Sequence, residues 1–381
     1  MDWIRQELAR MEVAHRCRVP TVTRWLGPVR VEVEGCDLLS FCGNDYLGLR
    51  LHPDLRAAAL TATLEHGTGS GASRMVSGNL GVIESAEHSL ADLVNAPAAL
   101  LGTSGYAMNV GALGALLGPE DLVCSDELNH ASLIDGMRLA RARVRVHPHN
   151  DLDALRRNLQ ERARRRWVVT ESLFSMDGDA PDLVAIADIA QAQGAALYVD
   201  EAHAIGVLGP EGRGLCAKEQ VRPEVIVGTL GKSLGGSGAF VAGSEDLRRW
   251  LWNRCRAHVF STGIAPANAA VARASVSLLR RGDGLRARLQ ENITLMRGLL
   301  EEGGVQPLGR TDSPIVPIVI GDDARAMEIA GQLRAKGYFV QAIRPPTVPE
   351  GTARPRLTLS AAHTAEEIRG VVRALLEILV R

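Results

Sequence analysis

Short apolar runs bounded by turn residues alternate with longer stretches of helical periodicity along most of the chain. The apolar runs predict β-strands, and the stretches with apolar residues three and four positions apart predict helices. The predicted strands are 29–33, 38–41, 98–101, 122–125, 144–147, 167–170, 195–199, 225–227 and 238–242. The predicted helices are 3–15, 53–66, 82–95, 107–117, 152–165 and 183–194. Strands that alternate with helices indicate an α/β fold with a mostly parallel sheet and helices on both faces.

The pattern changes after residue 263. A long helical stretch, 266–300, is interrupted near residues 282–284, and a smaller α+β pattern follows it. The later elements are strands 315–320, 339–343 and 356–359, helix 324–336, and a last helix that opens with the capping-box pair Thr364 and Glu367. We therefore expect an N-terminal segment (1–45), a large domain (46–275) and a small C-terminal domain (276–381).

Composition narrows the class of protein. The hydrophobic content of 46% and charged content of 23% are ordinary for a globular enzyme. A net charge of −1 without a basic block argues against nucleic acid or an anionic membrane as a partner. We expect no transmembrane helix and no signal peptide. Six scattered cysteines without a CxxC pair predict free thiols in the cytoplasm, and the spacing of cysteines and histidines predicts no metal site.

Chemically useful side chains follow two neighbouring predicted strands. Asp200 ends strand 195–199, with His203 three residues later, and Lys232 lies in a glycine-rich turn after strand 225–227. Ligands bind at the carboxyl ends of strands in open α/β sheets. A carboxylate, an imidazole and an amine gathered there suggest a carbonyl cofactor held as a Schiff base, with the carboxylate beside a pyridinium nitrogen. Taken singly, Asp200 could instead cap a turn, and Lys232 could be a solvated charge.

Other strand ends carry further candidates. The sequence Gly102–Tyr106 (GTSGY) links a strand to a helix start, and such a geometry offers N–H groups and a helix dipole to a phosphate. His130 follows strand 122–125, where a flat imidazole can stack on an aromatic cofactor. The glycine-rich stretch 67–74 follows a helix, so it does not fit a dinucleotide fingerprint, which must leave a strand. It predicts a tightly turning loop near a ligand.

A nucleotide-binding P-loop is the alternative from another class. Gly231-Lys232-Ser233 resembles the end of that motif, but the motif also requires glycine at position 226, which is Ile226. A non-catalytic cofactor-binding module is also conceivable, although the full set of charged candidates argues against it.

Seven motifs, in this order, resemble those of the α-oxoamine synthases, a family of fold-type-I enzymes that depend on pyridoxal 5′-phosphate (PLP). They are 44–48, 67–78, 126–132, 170–179, 199–214, 229–240 and 344–363, and the match spans nearly the whole chain. The resemblance implies a large domain with a mostly parallel seven-stranded sheet and a smaller α+β C-terminal domain. It also implies a homodimer with shared active sites.

The resemblance implies a role for each matching residue. Lys232 carries PLP as a Schiff base and later moves the substrate Cα proton, Asp200 pairs with the pyridine nitrogen, and His203 binds the phenolic oxygen. His130 stacks on the ring and also faces the substrate. The remaining implied cofactor contacts are Gly105, Tyr106 and Thr229 at the phosphate, Ser175, and Thr262 at the phosphate of the neighbouring subunit.

The resemblance further implies L-alanine and a pimeloyl thioester as substrates. Arg356 is the expected clamp for the amino-acid carboxylate, with Asn44 nearby. Arg344, Thr347 and an N-terminal arginine are expected at the acyl substrate, where Arg16 is preferred and Arg18 stays open. Within the family, glycine with acetyl-CoA is the nearest alternative pair of substrates. The sequence does not distinguish CoA from acyl carrier protein as the acyl carrier.

Overall fold

The computed structural model describes residues 1–380, and the chain divides into two compact units. The first unit consists of residues 1–48, residues 176–179 and the chain from Ala287 onward. The second unit consists of residues 49–175 and 180–286.

The second unit is built on a seven-stranded sheet. Its strands are β4 (Ala98–Gly102), β5 (Leu122–Asp126), β6 (Arg143–His147), β7 (Arg166–Glu171), β8 (Ala195–Asp200), β9 (Val225–Thr229) and β10 (Ala239–Gly243). The spatial order is β4-β10-β9-β8-β7-β5-β6, and β10 alone is antiparallel to its neighbours. The predicted mostly parallel sheet is confirmed. Because β10 is antiparallel to both β4 and β9, β4 ends at the same edge as the other five strands.

The second unit also contains ten α-helices. In chain order they are α2 (Pro53–His66), α3 (Gly81–Leu93), α4 (Gly105–Leu116), α5 (Ala131–Leu139), α6 (Leu152–Leu159), α7 (Leu183–Ala192), α8 (Leu215–Lys218), α9 (Glu245–Arg254), α10 (Arg256–Val259) and α11 (Pro266–Arg280). The next helix, α12 (Asp283–Glu302), begins in the second unit and lies mostly in the first. Buried side chains of α4 and α5, such as Met108 and Leu133, form one core with strand residues such as Val123 and Tyr198. This core fixes the starts of α4 and α5 at the edge where the strands end.

Besides most of α12, the first unit contains two small sheets and three further helices. Its elements are helices α1 (Asp2–Val13), α13 (Asp323–Ala335) and α14 (Ala365–Leu379), with strands β1 (Thr23–Trp25), β2 (Arg30–Val33), β3 (Cys36–Ser40), β11 (Ile315–Pro317), β12 (Tyr338–Phe339), β13 (Gln341–Ile343) and β14 (Arg354–Thr358). The sheet orders are β1-β2-β3-β12 and β11-β14-β13. The predicted capping box is confirmed, since Thr364 and Glu367 exchange both hydrogen bonds.

Three predicted elements differ from the structure by more than two residues or in their sheet assignment. The helix expected over 152–165 ends at Leu159, and the arginines beyond it turn back so that Arg165 pairs with the fully buried carboxylate of Asp121 at 2.7 Å. The strand expected over 339–343 is two strands in different sheets, β12 and β13, separated at Val340. The strand expected over 315–320 stops at Pro317, which has no backbone N–H to donate.

No helix among residues 1–380 is both long enough and apolar enough to cross a bilayer. Within the same residues, no group of three or more histidine, cysteine or acidic side chains is placed to hold a metal ion.

Candidate functional site

Polar side chains gather where the parallel strands of the second unit end. Glu171 and Asp200 are the last residues of β7 and β8 and lie opposite each other in the sheet register. His130 follows β5, and Lys232 follows β9. Four sequence-distant segments therefore deliver two carboxylates, an imidazole and an amine to one edge, as expected for a ligand site in such a sheet.

Asp200 is buried, and both of its carboxylate oxygens accept hydrogen bonds. Asn109 Nδ2 donates to Oδ2 at 2.7 Å, and the backbone N–H of Ala202 donates to Oδ1 at 2.9 Å. These two hydrogen bonds fix the orientation of the carboxylate, so the structure holds an acidic side chain in one orientation at the end of β8.

His130 caps the start of α5 and is held from two sides. Its Nδ1 lies 2.8 Å from Ser132 Oγ and accepts from the backbone N–H of Ser132 at 3.2 Å. Its own backbone N–H donates to Glu171 Oε1 at 2.6 Å. Burial lowers the pKa of His130; Asp200 raises that pKa and Lys232 lowers it. The imidazole is therefore neutral at pH 7, with its ring fixed by local contacts.

Lys232 lies in a tight turn between β9 and β10. The carbonyl of Lys232 accepts from the N–H of Gly235, whose φ of +66° favours glycine. A side chain at position 235 would also bring its Cβ within 2.7 Å of the backbone nitrogen of Arg50. Close backbone packing thus fixes the turn that carries the lysine.

Lys232 and Asp200 act on the same two neighbours. Burial and Asp200 raise the pKa of Glu171, while Lys232 lowers it, and both charges also shift the pKa of His130. Lys232 is one of three lysines in the sequence; Lys218 ends α8, and Lys336 pairs with Glu377. Lys232 is thus the lysine that lies at the strand ends, within electrostatic reach of Glu171 and His130.

The predicted phosphate-binding residues lie at the same edge. Ser104 Oγ accepts from the N–H of Ala107 and caps α4, which begins at Gly105. The first N–H groups of a helix have no acceptor within the helix, and its dipole favours an anion there. A Cβ built on Gly105 meets no heavy atom within 4 Å, so the space before this helix is open. Thr229 ends β9 and accepts the N–H of Gly231 on its hydroxyl.

The remaining predicted cofactor residues differ in exposure. His203 is buried just after β8, and Ser175 follows β7. Tyr106 is half exposed and donates from its hydroxyl to Asp135 Oδ2 at 2.7 Å. Thr262 is exposed in a segment that forms a backbone bridge to Ser73. The Lys-Ser pair at 232–233 lies between antiparallel strands rather than at a helix start, so the P-loop alternative is wrong.

The first unit holds the predicted amino-acid clamp. Arg356 is a buried residue of β14. Tyr46 is fully buried and donates from its hydroxyl to Asn44 Oδ1 at 3.2 Å. Burial raises the pKa of Tyr46, whereas the charge of Arg356 and a hydrogen bond to it lower that pKa. Tyr46 therefore links Asn44 to Arg356, a role that the sequence analysis missed.

The predicted acyl-substrate residues also lie in the first unit, around one cavity of about 490 Å³. Arg16, Arg18, Arg344 and Thr347 all line it. Arg16 Nε donates to Asp323 Oδ2 at 3.0 Å, and Arg16 also pairs with Glu350. Arg18 donates to the hydroxyl of Thr347 at 3.0 Å. The structure thus brings both open N-terminal arginines to the same cavity.

Comparison with known proteins gives a consistent result. The model of the aminotransferase class I and II family matches residues 37–375. An 8-amino-7-oxononanoate synthase of Anaeromyxobacter dehalogenans is 45% identical over 383 aligned positions, which cover 100% of this chain and 96% of the relative. The structure is similar to a Sphingomonas wittichii serine palmitoyltransferase (TM-score 0.93, 28% identity, 99% and 96% coverage). It is also similar to a Francisella tularensis 8-amino-7-oxononanoate synthase (TM-score 0.79, 28% identity, 90% and 98% coverage).

Proposed function

The chain belongs to the aminotransferase class I and II family, and from this membership we propose that it synthesises 8-amino-7-oxononanoate for biotin formation. The reaction joins L-alanine to a pimeloyl thioester with loss of CO₂ and the thiol carrier. The observation that carries the proposal is the meeting of Asp200, His130 and Lys232 at one edge of the sheet. Full-length relatives that are 43–45% identical and are named for this reaction, one of them as putative, support it.

The residues at the strand ends fit PLP. An anionic carboxylate suits its pyridinium nitrogen, a neutral imidazole suits its ring face, and an open helix start suits its phosphate. When bound, PLP supplies an electron sink for the carbanion that forms at the amino-acid Cα. The other steps depend on side chains of this chain.

Lys232 would hold the cofactor, and its neutral amine would move the substrate Cα proton. Asp200 stabilises the protonated pyridine nitrogen, and each pKa unit of that stabilisation is worth about 1.4 kcal/mol. His203 would donate to the phenolic oxygen of the cofactor, and His130 would cover its ring face. Gly105, Tyr106 and Thr229 would bind the phosphate, and Ser175 would also contact the cofactor.

Arg356 binds the amino-acid carboxylate through its planar guanidinium, which fits two carboxylate oxygens at once. Asn44 assists, and Tyr46 orients both side chains. Fixing the carboxylate would orient the substrate Cα and so decide which of its bonds breaks.

The acyl substrate is bound by Arg16, Arg344 and Thr347, which line the cavity of the first unit. These side chains offer cationic and hydroxyl donors to a charged or polar carrier group.

A substrate panel tests the proposed reaction. Alanine, glycine and serine are each assayed with pimeloyl-, acetyl- and palmitoyl-CoA, and with pimeloyl-acyl carrier protein. The highest kcat/KM is expected for alanine with a pimeloyl thioester. Preference for glycine with acetyl-CoA, or for serine with palmitoyl-CoA, would overturn the substrate assignment while leaving the family intact.

Replacing Arg16 with alanine is expected to raise KM for the pimeloyl thioester about tenfold, the value of one charge-assisted hydrogen bond. The KM for alanine should stay within about twofold, because Arg356 binds that substrate. Arg18→Ala is the matched control at the same cavity. A larger KM increase in Arg18→Ala would transfer the role to Arg18, whose side chain donates to the neutral hydroxyl of Thr347.

We also propose a cytoplasmic homodimer in which Thr262 contacts the cofactor phosphate bound by the neighbouring subunit. Thr262 is exposed, as is the large apolar side chain of Phe260 beside it. All six cysteines are free thiols, as expected in a reducing compartment.

Mixed dimers test the shared site. A dimer of one Lys232→Ala chain and one Thr262→Ala chain is expected to keep one complete site, with about half of the wild-type kcat. If Thr262 instead serves its own subunit, the site that retains Lys232 lacks the threonine, and cofactor affinity in the mixed dimer falls as in the Thr262→Ala homodimer. Cofactor titration of affinity-purified mixed dimers separates the two results.

A further inference from the structure

A buried asparagine on α4 connects the two central groups of the site. Asn109 is 1% exposed, and its amide makes three hydrogen bonds. Its Oδ1 accepts from the hydroxyl of Tyr198 at 2.8 Å, and its Nδ2 donates to Asp200 Oδ2 at 2.7 Å and to Ser132 Oγ at 2.9 Å. All three partners lie in the second unit.

The direction of each hydrogen bond follows from the chemistry of the groups. A phenol can donate, and burial raises the pKa of Tyr198 well above its usual value, so its proton stays in place. Because the hydroxyl of Tyr198 donates, the end of the Asn109 amide that faces it must be the oxygen. The opposite end of the amide, with its two N–H groups, faces the acceptors Asp200 and Ser132.

The hydrogen bond from Asn109 to Ser132 in turn sets the direction of the hydrogen bond between Ser132 and His130. Because Ser132 Oγ accepts from Asn109, its own proton is available to His130 Nδ1 at 2.8 Å. The backbone N–H of Ser132 donates to the same nitrogen. Two donors at Nδ1 require that this nitrogen carry no proton, so a neutral His130 has its proton on Nε2.

We propose that Asn109 is a positioning residue that fixes both the carboxylate of Asp200 and, through Ser132, the Nε2–H tautomer of His130. Its consequence for catalysis rests on the proposed function. An imidazole with Nε2–H presents a donor on the side of the ring opposite Ser132, which a substrate carboxylate or thioester carbonyl can accept. The Asp200 carboxylate keeps one orientation when the cofactor enters, so no reorganisation is needed there.

Nitrogen-15 NMR of histidine side chains tests the network in the apoprotein. The signal of His130 is assigned by its absence in His130→Gln among the ten histidines of the chain. The wild-type protein is expected to show a protonated Nε2 and an unprotonated, hydrogen-bonded Nδ1. In Asn109→Asp the new carboxylate attracts the Ser132 proton, so Nδ1 loses one donor and the tautomer preference weakens. A protonated Nδ1 in the wild type, or an unchanged tautomer ratio in Asn109→Asp, would overturn the proposal.

Kinetics of the cofactor-loaded enzyme form the second readout. Asn109→Asp is expected to lower kcat about 10- to 100-fold with a smaller change in KM for alanine, since the residue touches neither substrate. Asn292→Asp is the matched control, because Asn292 is also buried and its Nδ2 also donates two hydrogen bonds, to Ser360 O and His363 O. That control is expected to lower Tm while kcat and the His130 tautomer stay unchanged. Equal losses of kcat in the two variants would indicate a merely structural role and would overturn the proposal.

The two readouts separate this inference from the proposed function. If the substrate panel yields no 8-amino-7-oxononanoate, the tautomer measurement still reports on Asn109 in the apoprotein. If the wild type makes that product but its His130 carries the proton on Nδ1, the proposed role of Asn109 is overturned and the proposed function is retained.

Discussion

Lys232→Ala is expected to abolish turnover, with a loss of kcat of at least about 10⁴-fold. The variant loses both the covalent anchor of the cofactor and the base that moves the Cα proton, and positioned proton transfer alone contributes 10²- to about 10⁴-fold. The visible absorbance of the cofactor bound as a Schiff base should disappear as well. Steady-state assays and absorbance spectra of the purified variant measure both effects.

Because the chain has few lysines, chemical labelling can identify the one that binds the cofactor covalently. The sequence contains three, so borohydride reduction of the loaded wild type followed by peptide mass spectrometry has three ε-amines to distinguish. We expect the label on Lys232. Lys336→Ala is the control, because Lys336 pairs with Glu377 and takes no part in the site. Covalent cofactor in reduced Lys232→Ala, or turnover by that variant, contradicts the assignment.

The sequence was sufficient to locate the centre of the site because chemistry and topology coincide there. A buried parallel strand is a continuous apolar run, so the residue that ends it is visible in the sequence, as Asp200 is after Ala195–Val199. Parallel strands then bring their ends to one edge without any knowledge of side-chain packing. This argument also located His130 and Lys232, and the structure gathers all three.

Residues that position other side chains are harder to recognise from the sequence. Asn109 lies within a helix of small and apolar residues, and nothing in its spacing shows that it meets Tyr198 and Asp200, which lie 89 and 91 positions away along the chain. Glu171 also ends its strand, as Asp200 does, so its position at a strand end is a usable signal in the sequence. Tyr46 depends on a fold of the first unit that brings Arg356 to it from the distant β14.

The wrong element boundaries have a related cause. Periodicity across residues 152–165 continues past the true end at Leu159, because the arginines that follow are good helix formers. Their ion pairs with the buried Asp121 outweigh that preference. The apolar run at residues 339–343 is continuous in the sequence. It is divided between two sheets because β12 pairs with β3 and β13 pairs with β14.

Asp200→Asn is expected to retain the cofactor and to lower kcat by at least about 10³-fold. The amide carries no charge, so the pyridine nitrogen loses the partner that keeps it protonated, and a fall of three pKa units corresponds to about 4 kcal/mol. Exchange of the alanine Cα proton in deuterated water, followed by proton NMR without thioester, measures this step separately from condensation. Wild-type exchange in the variant would contradict the role of Asp200.

A loss of packing around residue 200 would also lower the activity of Asp200→Asn. The hydrogen bonds of Asp200 supply a control for that effect. Both carboxylate oxygens of Asp200 accept hydrogen bonds, from Asn109 and from Ala202, so an asparagine there must oppose one donor with its own NH₂ group. In the double variant Asn109→Asp/Asp200→Asn the amide at position 200 donates to the carboxylate at position 109. The other oxygen of that carboxylate accepts from Tyr198.

The exchanged pair should therefore regain hydrogen-bond complementarity without regaining activity. We expect the Tm of the double variant to exceed that of Asp200→Asn, because no buried donor is left facing another donor. Its alanine exchange rate should remain at the level of the single variant, because the negative charge now lies at position 109 on α4 and not at the end of β8. Recovery of exchange along with Tm would show that buried packing, rather than the position of the charge, gives residue 200 its effect.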